Sequence, residues 1–149
     1  MEDKQKKQIS QVREFNRYYT NILGLLNQHI LDSDLSLSEV RVLYEIEKIK
    51  DCTAKKLSKT LLLDTGYLSR MLKMFQKNNL IEKYKSPEDG RALYLTLSAL
   101  GRDRLNELDA KSDEQISRIL NPCSEKQREE LVVCMRQIEK ILETSYVND

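Results

Sequence analysis

The side chains best suited to chemistry lie between positions 65 and 91, and what they offer is donors and positive charge. In the stretch DTGYLSRMLKMFQK, Leu68, Met71, Leu72 and Phe75 recur at three- and four-residue steps, the spacing of one apolar helix face. Thr65, Tyr67, Ser69, Arg70 and Lys73 fall off that face and near the helix start. Such side chains suit the edges of bases and the phosphates of a duplex. A guanidinium forks onto the two major-groove acceptors of guanine, and hydroxyls bond base or phosphate. Lys85, Ser86 and Arg91 form a second group around Ser86-Pro87-Glu88-Asp89-Gly90, whose composition is that of a turn. From a projecting loop, Arg91 is placed to reach a minor groove.

The flanking elements that must position these groups are legible from periodicity and caps. Residues 54–61 read as a short helix with Thr53 as N-cap and Ala54, Leu57 and Leu61 as its inner face. Asp64 caps the next helix, and Asn78-Asn79 ends it, Asn being the usual substitute for Gly in a left-handed C-terminal position. Leu93, Leu95 and Leu97 alternate with Tyr94 and Thr96, the period of a half-buried strand, with 81–85 as partner. Helix, turn, helix and hairpin in this order match the geometry by which a recognition helix enters the major groove. Charge agrees. Residues 54–97 hold nine Lys or Arg against four acids, a local net of +5, whereas the whole chain is +1.

The remaining helices frame this unit. Residues 4–30 carry Ile9, Val12, Phe15, Tyr19, Ile22, Leu26 and Ile30 at helical steps, and Gly24 within them suggests close packing or a bend. Ser36 with Glu39 forms a capping box, and Leu35 and Val40 can staple across it; the helix that follows turns Val40, Leu43, Tyr44 and Ile46 inward and stops near Asp51. Ser98 caps a polar helix with Leu105, Leu108, Ile116 and Ile119 as its stripe, ended by Pro122. Ser124 with Gln127 opens the last helix, where Leu131, Met135, Ile138, Leu142 and Tyr146 share a face. The first and last helices thus carry apolar stripes that a small winged core cannot cover, and a second copy of the chain would bury them. The expected fold is mainly α with a small β-hairpin wing, a winged helix-turn-helix over 36–97 with dimerisation helices over 1–35 and 98–149, all in one domain.

The segment LLLDTGYLSRMLKMFQKNNLIEKYKSPEDGRALYLTLSALG resembles the winged helix of the MarR family of bacterial transcriptional regulators. The likeness rests on the recognition helix 67–76, the pair Leu80-Ile81 opening the wing, Asp89 with Arg91 at its tip, and Leu97-Ser98 with Gly101 closing it. Asn79 stands where the family often has Gly, and Gly90 where many members carry Arg. The resemblance implies a homodimer that reads pseudo-palindromic double-stranded DNA, usually as a repressor. It also implies release by a small phenolic or amphipathic effector bound between the dimer helices and the winged helix. Tyr18, Tyr19, His29 and Tyr44 combine an apolar body with a polar handle near that junction, and are the candidates for effector contact.

Other classes fit less well. With one His, four scattered Gly and no metal-like Cys spacing, the chain offers no nucleophile-base pair, phosphate-cradling loop or metal cluster, and neither catalysis nor a cofactor is expected. Apolar runs are short and the start MEDKQKKQ is charged, so a membrane span or signal peptide is not expected and the cytoplasm is the expected compartment. Two alternatives remain: a winged helix that binds another protein instead of DNA, and an oxidant-sensing regulator acting through Cys52, Cys123 or Cys134, with Cys52 the best placed.

Overall fold

The computed structural model describes residues 2–31 and 33–146, except for the side chains of residues 25–31 and 146. Its elements are α1 (Asp3–Leu31), α2 (Leu37–Lys48), α3 (Ala54–Leu61), α4 (Thr65–Lys77), β1 (Ile81–Lys85), β2 (Leu93–Leu97), α5 (Ala99–Leu120) and α6 (Glu125–Tyr146). They fall into two compact units, residues 1–112 and 113–149. Leu26, Ile30 and Tyr146, expected on apolar stripes, lie outside the described side chains.

Caps set the helix starts as their sequences require. Ser36 Oγ accepts from the Glu39 N–H at 3.2 Å while the Glu39 carboxylate accepts from the Ser36 N–H at 3.1 Å. Thr53 accepts from the Lys56 N–H, Asp64 from that of Tyr67 and Ser98 from that of Gly101, each at 2.9–3.2 Å. Ser124 and Gln127 make the reciprocal pair at the head of α6. Each bond satisfies one of the backbone donors that a helix start leaves without partners.

In the first unit, Val42, Leu43 and Ile46 of α2, Leu57 and Leu61 of α3, and Leu68, Met71, Leu72 and Phe75 of α4 close on Leu95 and Leu97 of the hairpin and on Leu105 and Leu108 of α5. The hairpin is antiparallel, pairing Ile81 with Leu97 and Lys85 with Leu93. Cys52, just ahead of α3, adds one further rung, its carbonyl accepting from the Leu95 N–H at 2.8 Å. Lys56 fastens the same loop from the other side, donating from Nζ to the carbonyls of Lys50 and Asp51.

The end of α4 is a tight joint. Asn79 takes φ 58°, the Leu80 N–H donates to the Phe75 carbonyl and the Asn79 N–H to that of Gln76, a paired C-cap that places Leu80 under the helix end. The Ser98 N–H then donates to the Leu80 carbonyl at 3.0 Å, and Ser98 Oγ to the carbonyl of Asn79. Gly101 packs so closely here that a Cβ on it would stand 2.0 Å from the Leu80 oxygen.

Several expectations need correction. Val42 rather than Tyr44 turns inward from α2, because the buried arc is centred on Leu43 and Ile46. Tyr44 is exposed, with Lys48 Nζ 4.6 Å from its ring centroid, and its hydrogen bond to Lys48 raises that ammonium's pKa. The helix ends at Lys48, three residues before Asp51. Ala54 and Leu93 are exposed, the half-buried alternation of β2 beginning at Tyr94. Gly24 meets nothing within 4 Å, so no close packing within the chain requires it. One feature was not foreseen: Leu62, in the turn between α3 and α4, has φ 53° and is 80% exposed.

Cys52 is 1% exposed, and burial pushes its thiol up to about 11 against a smaller opposing pull from Lys56. Neutral thiol is therefore the form that the fold favours. The stability tied to it is full below 9.0 and declines as pH rises toward about 11. Thiolate, the oxidant-reactive form, is scarce at this position near neutral pH.

Two predictions arise from the packing. Gly101→Ala should cost about 2–4 kcal/mol in urea unfolding, since backbone rather than a flexible side chain must give way, whereas Gly24→Ala should gain up to about 1 kcal/mol from helix propensity. With Ellman's reagent at neutral pH, the exposed Cys134 should react quickly and Cys52 only as the protein unfolds; equal rates would contradict its burial.

Candidate nucleic-acid interface

The interface begins with the geometry of α4. At 100° per residue, Arg70 and Lys73 lie opposite the arc made by Leu68, Met71, Leu72 and Phe75, with Ser69 and Tyr67 on the two margins. All four are exposed, and Thr65 is exposed as the first helical residue. Gly66 lies on the same outward face; a Cβ there would sit 3.2 Å from Asp64 Oδ2 and 3.6 Å from Arg70 Nη1. Its lack of a side chain leaves room beside the cap and the guanidinium, where a ligand backbone can approach.

The wing carries the second group. Lys85 and Arg91 are exposed, as expected for contact residues. Ser86 is placed differently, 5% exposed with its hydroxyl already committed. Ser86 Oγ donates to the Tyr94 hydroxyl at 3.2 Å and accepts from the N–H groups of Glu88 and Asp89. Around it, the Ser86 N–H donates to the Ala92 carbonyl, and Asp89 Oδ1 accepts from the Arg91 N–H at 3.0 Å. Tyr94 packs edge-on against Tyr84, its cross-strand partner, with centroids 5.5 Å apart. Ser86 thus shapes the tip from inside and leaves the Arg91 side chain to point outward.

A third group was missed. Lys55 and Lys59 of α3, four residues apart on one face, stand with Lys83 of β1 around a hollow of about 460 Å³ that Ser58, Thr65 and Ser69 also line. The i, i+4 spacing of the two α3 lysines was visible in sequence; that Lys83 faces them depends on how the hairpin packs. Among the described residues, Lys56 alone of the nine cations over 54–97 has its side chain in a hydrogen bond or ion pair. The other eight are uncommitted.

The residues expected at an effector site have the following surroundings. Tyr18 is 63% exposed, Tyr19 stacks on Phe15 at 5.6 Å, and Tyr44 is engaged with Lys48. His29 lies outside the described side chains. Among the described residues there is no cluster of His, Cys, Asp and Glu that could hold a metal, and no helix long and apolar enough to cross a membrane.

Comparison with known proteins places this geometry. Residues 35–93 match the family model described as MarR family. The HTH-type transcriptional regulator SarZ of Staphylococcus haemolyticus is 31% identical over 81 residues, which make up 54% of this chain and 55% of that relative. The match therefore spans about half the length of each protein. In structure, the chain is similar to FabT of Streptococcus pneumoniae, solved in complex with DNA, with a TM-score of 0.77 at 22% identity over 89% of this chain and 98% of FabT. It is also similar to a mutant MarR of E. coli complexed with operator DNA, with a TM-score of 0.73 at 20% identity over 92% and 99% of the two chains. The mainly helical fold with a two-stranded wing is shared with these two solved structures. Over residues 35–93 the chain is thus similar to the MarR family, and over most of its length it shares the fold of these solved structures.

Proposed function

We propose that this chain is a sequence-specific regulator of transcription, a repressor that binds a pseudo-palindromic duplex as a homodimer and is released by a small molecule. The observation that carries the reading is the set of uncommitted cations. Arg70 and Lys73 on α4, Lys55, Lys59 and Lys83 around the hollow, and Lys85 and Arg91 on the wing share one unit, and among the described residues none of them has an acidic ion-pair partner. A row of cations without internal partners is what phosphate neutralisation and counterion release require. Similar proteins solved with DNA support the same partner.

Roles follow from position. Arg70 would read a base edge, with Tyr67, Ser69 and Thr65 bonding base or phosphate beside it. Lys73, Lys85 and the three lysines of the hollow would hold the backbone, and Arg91 would enter the minor groove. Ser86 would act indirectly, by keeping the wing tip in shape. Homodimerisation has its own support. Ile9, Val12 and Phe15 of α1 and Leu131, Met135, Ile138 and Leu142 of α6 are 39–59% exposed in the single chain, apolar surface that a second copy can cover. Two-fold pairing would set two α4 helices about 34–36 Å apart, one turn of the duplex.

The direct test is selection of bound sequences from random duplex DNA at two salt concentrations. An inverted repeat bound less tightly at high salt is the expected result; no enrichment at either salt would move the function to a protein partner. With the operator in hand, Arg70→Ala should cost about 1–3 kcal/mol and relax preference at one position per half-site. Ser86→Ala should weaken binding to all sequences alike, and Ser86→Thr should restore part of the loss; unaltered affinity in Ser86→Ala would remove the clasp from the account. Leu142→Asp should shift the protein to monomers in sedimentation, and a persistent dimer would place the interface elsewhere.

A further inference from the structure

Among the described residues, Leu62 is the most exposed large apolar side chain, at 80%. It begins the turn between α3 and α4, and its backbone is left-handed there, with φ 53°. Both facts run against its residue type. A left-handed backbone crowds Cβ against the following carbonyl, which is why Gly or Asn usually ends a helix in this way, and an isobutyl group in water forgoes the gain of burial. Its neighbours do better: Leu61 is buried, and Leu63 packs against the same core. The apolar stripes of α1 and α6, which a second copy can cover, lie on other elements. Neither the core nor that pairing accounts for Leu62, and a side chain kept in an unfavourable conformation points to a use outside the fold.

Lys55, Lys59 and Leu62 follow one another at steps of four and three, so Leu62 stands at the end of the face of α3 from which the two lysines border the hollow. Thr65 and Ser69 of α4 border the same hollow, and Thr65 opens that helix just beyond the turn. The turn is firmly held. The N–H groups of Leu62 and Leu63 both donate to the Ser58 carbonyl, Ser58 Oγ donates to the Leu63 carbonyl at 2.7 Å, and Asp64 caps α4. With the backbone already fixed, a contact made by Leu62 orders only its own side chain. We propose that Leu62 is a specificity-determining residue, packing against the C5-methyl of one thymine in each half-site at the edge of the groove that α4 enters. The methyl of thymine is the apolar group that base pairs present in the major groove, and apolar side chains read it by contact. Lys55 and Lys59 hold phosphates beside it. The contact rests on the duplex-binding function proposed above and adds to it a preference for thymine over cytosine at a position without a hydrogen bond.

The test takes the inverted repeat selected by the full chain and replaces its thymines one at a time with deoxyuridine, which keeps the pairing and the O4 acceptor and lacks only the methyl. Wild type should lose about fourfold in affinity at one position per half-site, the worth of one buried carbon group. Leu62→Gly should bind the parent repeat more weakly and lose nothing further at that position, the signature of a shared contact. In urea the same variant should unfold no earlier than wild type, because Gly accepts the left-handed backbone without strain. Deoxyuridine penalties that persist undiminished in Leu62→Gly, or equal affinity of variant and wild type for the parent repeat, would overturn the proposal. If Leu62→Gly unfolds earlier, Leu62→Asn, which also tolerates this backbone, decides by the same deoxyuridine comparison. A selected repeat whose methyl penalties are indifferent to Leu62 would remove the contact and keep the regulator; failure to select any duplex would remove both.

Discussion

The contact on which the rest of the first unit depends is the meeting of Leu80 with Gly101. The Leu80 carbonyl accepts from the Ser98 N–H while the first turn of α5 passes so close that no side chain fits at Gly101. At one point this fixes where α4 ends, where β1 begins, where β2 finishes and where α5 starts. The hairpin then has a defined exit from the recognition helix, and its register with β2 brings Lys85 and Arg91 to the same unit as Arg70. Asn79 makes the joint possible by taking the left-handed conformation, which Asn tolerates better than most residues other than Gly.

Around that joint the molecule separates two uses of polar groups. Those that build the reading head, Thr53, Asp64, Ser86, Ser98 and Lys56, bond to backbone atoms and are consumed by the fold. Cations that have no such duty gather on the face of α4, around the hollow and on the wing. The distinction explains why Ser86 and Arg91, five residues apart in one loop, have unrelated roles: the first holds the loop, the second projects from it.

Much of this was legible in the sequence because it is local. Caps announce themselves by residue type and three-residue spacing, so Ser36, Thr53, Asp64, Ser98 and Ser124 were each found, as was the left-handed Asn79. The buried stripe of α4 follows from its periodicity alone. What escaped depends on distant parts of the chain. The inward turn of Ser86 follows from the pairing of Tyr84 with Tyr94, and the grouping of Lys83 with Lys55 and Lys59 from hairpin packing. Tyr44 was misplaced because Val42 and Tyr44 flank Leu43 on opposite sides, and periodicity alone did not choose between them. Leu62 gave no warning, since a left-handed apolar residue in an exposed turn has no sequence signature.

The way Lys56 is used has a consequence for the environments in which the head keeps its shape. Its ammonium is held by two backbone carbonyls and the neighbouring helix starts by hydroxyl and carboxylate caps, while the ion pair between Glu47 and Arg102 is solvent-exposed. Mobile ions screen exposed charge pairs and compete for duplex phosphates, but they have little hold on short-range bonds to the main chain. In the proposed role, ionic strength would therefore act as a dial on the duplex contact and leave the bonds that hold the scaffold little changed.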